Sequence, residues 1–161
     1  MVNKEGFQIP QEVLSSLEDC HTADKHDSNH AEAFHVRRVV AGNPNTPQSV
    51  LARLAEDHMP SVRARVAENP RTPEEVLIAL AKDTNCDVRL AVAENPNTPE
   101  EILRVLAGDE DVDVRYGVAE NPHIPGSLLE KLSGDENPYI SWRAYRTMKM
   151  LDITSGLEET A

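Results

Sequence analysis

Apolar positions along this chain fall into short clusters separated by proline, and the clusters recur. Val36, Val62, Val88, Val114 and Ile140 are spaced 26 residues apart. Leu51, Leu77, Leu103 and Leu129 keep the same step, as do Leu54, Leu80, Leu106 and Leu132. Asn-Pro falls at Asn43-Pro44, Asn69-Pro70, Asn95-Pro96 and Asn121-Pro122, in the same period. A fixed period in several independent columns marks a repeat architecture. Each unit reads as two helices. At 100° per residue, Val88, Ala91 and Val92 share one face and Leu90 points nearly opposite. This predicts a first helix of about two turns, part of it 3₁₀. Asn-Pro ends it, because the residue before proline is driven out of the α region. Thr98-Pro99-Glu100-Glu101 and Thr72-Pro73-Glu74-Glu75 predict the start of a longer second helix. There threonine caps, proline opens and glutamate closes a capping box. Thr46-Pro47-Gln48-Ser49 keeps the cap without the glutamate. In the second helix Ile102, Leu103, Leu106 and Ala107 lie on one arc, as Val76, Leu77, Leu80 and Ala81 do.

A two-turn helix is unstable alone in water. Each unit therefore has to bury its arc against its neighbours. The expectation is an all-α, right-handed α-solenoid of 26-residue helix pairs with a thin continuous core. Three regions follow: residues 1–33, a degenerate unit with an insert; residues 34–151, the repeats; and residues 152–161, a flexible acidic tail. The pattern Val-Arg-x-x-Val-Ala-x-Asn-Pro-x-Thr-Pro-x-x-x-Leu-x-x-Leu-Ala-x-Asp stands at Val62–Asp83 and again at Val88–Asp109. It resembles the leucine-rich repeat variant family. The resemblance implies alternating α- and 3₁₀-helices in a right-handed superhelix and says little about activity. One such relative carries an N-terminal iron–sulfur cluster held by cysteines. Only Cys20 stands in the corresponding region here, so no cluster is carried over.

Composition narrows the function classes. The 161 residues carry a formal charge of −12, which disfavours broad binding to a phosphate backbone. Aromatics make up 4%, so the core rests on Val, Leu and Ala. Two cysteines, Cys20 and Cys86, exclude a disulfide-dense scaffold. No apolar run is long enough to span a bilayer, and the N-terminus lacks a secretory signal. A soluble, cytoplasmic protein is expected; its oligomeric state is left open.

Repeats turn columns of sequence into rows on a surface. Arg37, Arg63, Arg89 and Arg115 form one row, Glu68, Glu94 and Glu120 a second, and Asp57, Asp83, Asp109 and Asp135 a third. The favoured role for the arginines is structural: each pairs with an aspartate of the preceding loop and with helix-end carbonyls. The competing role is a clamp for an acidic peptide, a phosphate or a nucleic acid. Asn43, Asn69, Asn95 and Asn121 serve as helix stops whose side chains satisfy backbone groups at the bend. The column the repeat leaves free runs Arg38, Ala64, Leu90, Tyr116 and Trp142. Helical phase turns it away from the core. Leu90, Tyr116 and Trp142, with Arg65 and Arg143 one position on, are the candidate contacts for a protein or peptide partner. Against this, Tyr139, Trp142 and Tyr145 could simply seal the last unit.

Residues 9–19 match a second helix, yet Val13 to Val50 spans 37 residues rather than 26. The extra residues hold Cys20, His21, Asp24, His26, His30 and His35. His26 and His30 stand at i,i+4, a spacing that sets two imidazoles on one helical face for Zn²⁺ or another transition metal. A metal-binding regulatory protein is therefore the alternative function, with a solvated loop as the plainer reading. Asp109, Asp111 and Asp113 mimic part of a Ca²⁺ loop, but Val114 stands where glycine is needed. No nucleophile–base pair or phosphate-cradling glycine loop appears. The expected role is non-catalytic: an interaction scaffold with no cofactor of its own.

Overall fold

The computed structural model describes residues 28–158, with side chains for 33–151. Among these residues every regular element is an α-helix. The order is α1 (Ser28–Gly42), α2 (Gln48–Leu54), α3 (Pro60–Glu68), α4 (Glu74–Leu80), α5 (Cys86–Glu94), α6 (Glu100–Leu106), α7 (Val112–Glu120), α8 (Gly126–Ser133) and α9 (Pro138–Glu158). Odd helices pack on one another in succession, α1 on α3, α3 on α5, and so on to α9. Even helices lean on the odd helices before and after them. The result is an all-helical repeat solenoid. Two expectations are corrected. No 3₁₀-helix occurs among the described residues, and the first helices are the longer ones, with nine residues in α3, α5 and α7 against seven in α2, α4 and α6. An added turn of the even helices would carry their ends beyond the apolar arc, which closes at Leu54, Ala81 and Ala107.

The core follows the columns. Leu51, Leu54, Leu77, Leu103, Leu106, Leu129 and Leu132 are buried, as are Val62, Val88, Val114 and Ile140. Each such side chain contributes about 1.5–3 kcal/mol over its exposed state. Val36 departs from its column and is 37% exposed. It lies on α1, which has an odd-helix neighbour on one side only among the described residues. Ala41, Ala67, Ala93 and Ala119 are all fully buried. Their small size lets consecutive odd helices approach closely.

The junction inside each unit is also corrected. Thr46, Thr72 and Thr98 do not cap the helix that follows. Each hydroxyl donates backward to a carbonyl in the last turn of the helix before it: Val40 O at 2.6 Å, Val66 O at 2.5 Å and Val92 O at 2.6 Å. That satisfies a carbonyl the helix end leaves open. Even helices begin instead on a proline carbonyl, as Pro99 O accepts from Ile102 and Leu103. Side-chain caps occur on the odd helices. Asn85 Oδ1 accepts from Val88 N at 3.2 Å, and Asp111 Oδ1 accepts from Asp113 N at 2.9 Å and Val114 N at 3.4 Å. Helix α9 has Thr147-Met148 where the inner odd helices end on Asn-Pro, and it runs through Asp152, where the acidic tail is expected to begin, to Glu158.

Candidate partner-binding surface

The asparagine column does more than stop helices. Asn69 Nδ2 donates to Ala41 O at 2.7 Å and Asn43 O at 2.9 Å, both in the preceding unit. Asn95 reaches Ala67 O at 2.5 Å and Asn69 O at 3.3 Å; Asn121 reaches Ala93 O at 2.7 Å and Asn95 O at 3.0 Å. Each Oδ1 accepts from the backbone N–H two residues on, with Asn43 doing the same. In α9 the equivalent position is Thr147, whose hydroxyl donates to Ala119 O at 3.0 Å. The link between units survives there while the helix stop is lost.

The arginine row is paired within the chain, but its carboxylate partner sits in the loop that follows, not the one before. Arg37 Nε donates to Asp57 Oδ2 at 2.6 Å, Arg63 to Asp83 at 2.6 Å, Arg89 to Asp109 at 2.7 Å and Arg115 to Asp135 at 2.8 Å. The preceding loop supplies a backbone acceptor: Asp57 O for Arg63, Asp83 O for Arg89 and Asp109 O for Arg115. These arginine side chains are at most 15% exposed. Bidentate pairing of this kind uses up the donors that an outside anion would need. Burial pushes the Asp83 and Asp109 carboxyls up, but their arginines and the backbone N–H groups of Asn85 and Asp111 outweigh it and hold both below the usual range. The hydrogen bond from Arg115 does the same for Asp135.

What remains available is the outward side of the odd helices. Ala64, Leu90 and Tyr116 are half-buried and pack against the core edge, less outward than helical phase alone implies. For Leu90 the reason lies on the next odd helix. A Cβ on Gly117 would lie 2.6 Å from Leu90 Cδ1, so the missing side chain lets Leu90 settle onto α7. Trp142 is 56% exposed, with the Arg146 guanidinium 5.2 Å from its ring centre. Tyr139 and Tyr145 are exposed beside it, and Lys149 lies 5.6 Å from the Tyr145 ring centre. Sealing by these rings is thus incomplete. Arg65 and Arg143 engage the glutamate row, at 2.6 Å to Glu68 and 3.2 Å to Glu120. Arg143 Nε is buried and makes no hydrogen bond. Glu94, between those pairs, has its carboxyl pushed up by burial and by the charges of Glu120 and Glu68.

These columns carry a known signature. Residues 36–89 match the leucine rich repeat variant domain, and residues 87–111 match the leucine rich repeat variant. Residues 36–111 are leucine rich repeat variant repeats. No curated protein matches the chain. Leucine rich repeat variant units thus run from the second half of α1 through α6, and the same columns continue through α7 and α8. Of the candidate metal ligands, Cys20, His21 and His26, with Asp24, lie outside the described residues. His30 is on α1, and His35 is exposed on the same helix. Among the described residues no three His, Cys, Asp or Glu side chains gather as a metal site. Burial, then the charge and hydrogen bond of Asp111 and the charge of Asp87, push the Cys86 thiol up, away from the reactive thiolate. No helix among the described residues is long and apolar enough to cross a membrane.

Proposed function

We propose that the protein is a non-catalytic adaptor that holds a protein or peptide partner on the outward face of its odd helices. Leu90, Tyr116 and Trp142 supply the apolar contacts, and Arg65 and Arg143 border them. One observation carries this reading: Trp142, Tyr139 and Tyr145 stand more than half exposed on α9, in a chain with so few aromatic residues. Exposed aromatic side chains beside arginine are favoured anchors, because they bury much area at small entropic cost. Leucine rich repeat variant units support the same reading, since stacked repeats present extended surfaces for recognition. The arginine row, tied into its own loops, gives no support to nucleic-acid binding.

The test is capture from native lysate on immobilised protein, comparing the wild type with Tyr116→Ala/Trp142→Ala. The double variant is expected to keep its helical circular dichroism and to lose specific partners identified by mass spectrometry. Capture of the same partners by the folded double variant defeats the proposal.

A further inference from the structure

The outward face across α5 and α7 is not electrically neutral. Leu90 and Tyr116 form its half-buried floor. One border is the row Glu68, Glu94 and Glu120; the other is Asp87 and Asp113, both exposed in the first turns of α5 and α7. Arg65 neutralises Glu68 and Arg143 neutralises Glu120. Glu94, Asp87 and Asp113 have no cationic partner among the described residues. The two paired glutamates are supplied from the ends of the row, and the uncompensated charge collects at its middle, around the apolar floor. We propose that this face takes a basic amphipathic helix of a partner protein, its apolar side chains on Leu90 and Tyr116 and its Lys or Arg side chains against Glu94, Asp87 and Asp113. The proposal rests on the adaptor reading above and adds the chemistry of the partner.

Charge complementarity selects the sign. A desolvated carboxylate without a cation is costly, and burial by an apolar or acidic segment would raise that cost. A lysine or arginine with its aliphatic stem on Leu90 and its head at Glu94 removes it. The raised carboxyl of Glu94 fits this picture. Spacing accommodates a helical form. Packed helices lie about 8–10 Å apart. Seven residues of α-helix advance about 10.5 Å. A helix lying along the stack, with a basic and an apolar residue recurring each heptad, therefore meets one unit of this face per repeat of its own pattern.

The probe is a labelled Leu/Lys peptide of about 14 residues in that heptad pattern, long enough for two steps of the stack, with a Leu/Glu twin. Fluorescence anisotropy at physiological salt is expected to show wild-type protein binding the Lys peptide at least about tenfold more tightly than the twin. Glu94→Lys and Tyr116→Ala are each expected to weaken it by roughly tenfold. Glu74→Lys makes the same charge change on the exposed first turn of α4 and is expected to stay within about twofold. Thermal melts confirm that each variant is folded. If the Glu twin binds in a Tyr116-dependent way, the basic partner is wrong and the adaptor surface stands. Should the Lys peptide bind equally to all variants, or not bind at all, the basic helical partner falls, while the adaptor surface stands or falls by the capture test of the Tyr116→Ala/Trp142→Ala variant. Sedimentation across a dilution series covers a further occupant. Self-association broken alike by Glu94→Lys and Trp142→Ala would mean that the basic α9 of a second copy fills the face, which overturns the proposal.

Discussion

The inner units and the last odd helix solve the same packing problem with different residues. In the inner units the position nearest the next helix is Ala67, Ala93 or Ala119, fully buried; in α9 it is Tyr145, 55% exposed. The inner arginine is Arg63, Arg89 or Arg115, bridging two loops; in α9 it is Ser141, whose hydroxyl donates to Ser133 O at 2.9 Å. Asn69, Asn95 and Asn121 stop their helices; Thr147 does not. Ser141 and Thr147 keep a bond to the preceding unit, to Ser133 O and Ala119 O, while Ser141 lacks the guanidinium that bridges to a following loop. Helix α9 also packs broadly on α8 as well as α7, which no other odd helix does with its preceding even helix. The last described odd helix thus differs from the inner ones by substitution at a few columns.

Exchanging residues between the two regions gives the largest expected effect. Ala93→Tyr places the α9 residue in a fully buried seam and should destabilise by about 3 kcal/mol or more through overpacking. Tyr145→Ala should cost less than about 1 kcal/mol, because its ring is already half in water. Urea denaturation of the two variants measures both, and similar losses would erase the distinction. Next comes the asparagine position. Asn95→Asp removes two donated bonds and sets a carboxylate against two carbonyls, at about 3 kcal/mol or more. Thr147→Val removes one bond at a partly exposed site, at about 1 kcal/mol.

Acid is a third probe, because the inner arginine–aspartate pairs have no counterpart at Ser141. Asp83, Asp109 and Asp135 have folded values below their unfolded ones, so the unfolded chain takes up protons first as pH falls. Their contribution is complete above the unfolded value of about 4 and drains away as pH drops through the lower, folded one. Melting temperature should hold level from neutral pH to about 5 and then fall, with a shallower fall in Arg89→Met. An equally steep fall in that variant would remove the pairs from the explanation. Glu94 gives the smallest effect and the opposite sign. Its carboxyl is raised, so its charged form burdens the fold at neutral pH and the burden lifts as pH falls through the folded value. Glu94→Gln should raise stability at pH 7 by less than about 1 kcal/mol and leave it unchanged well below the carboxylate range.

The columns of Val and Leu were enough to read the helices and their core from the sequence, since burial follows directly from period and phase. Directions of polar contacts were not readable. A threonine at a bend can accept from the helix ahead or donate to the one behind, and only the fold shows that Thr98 turns back to Val92. An arginine flanked by two loops is equally ambiguous, and Arg63 divides itself between the Asp57 carbonyl and the Asp83 carboxylate. Helical phase places Leu90 relative to its own axis alone. Its half-burial depends on Gly117, 27 residues on, a coupling no single helix carries. Trp142 was readable as exposed because its column leads outward and α9 has no odd helix beyond it among the described residues.

The asparagine and threonine side chains that join units all reach toward the N-terminal neighbour. A chain made from its N-terminus therefore produces every acceptor carbonyl before the side chain that will seek it. For these bonds the acceptor is always made first, whereas the arginine row waits for an aspartate twenty residues on, so each unit is tied backward by amide and hydroxyl and forward by guanidinium.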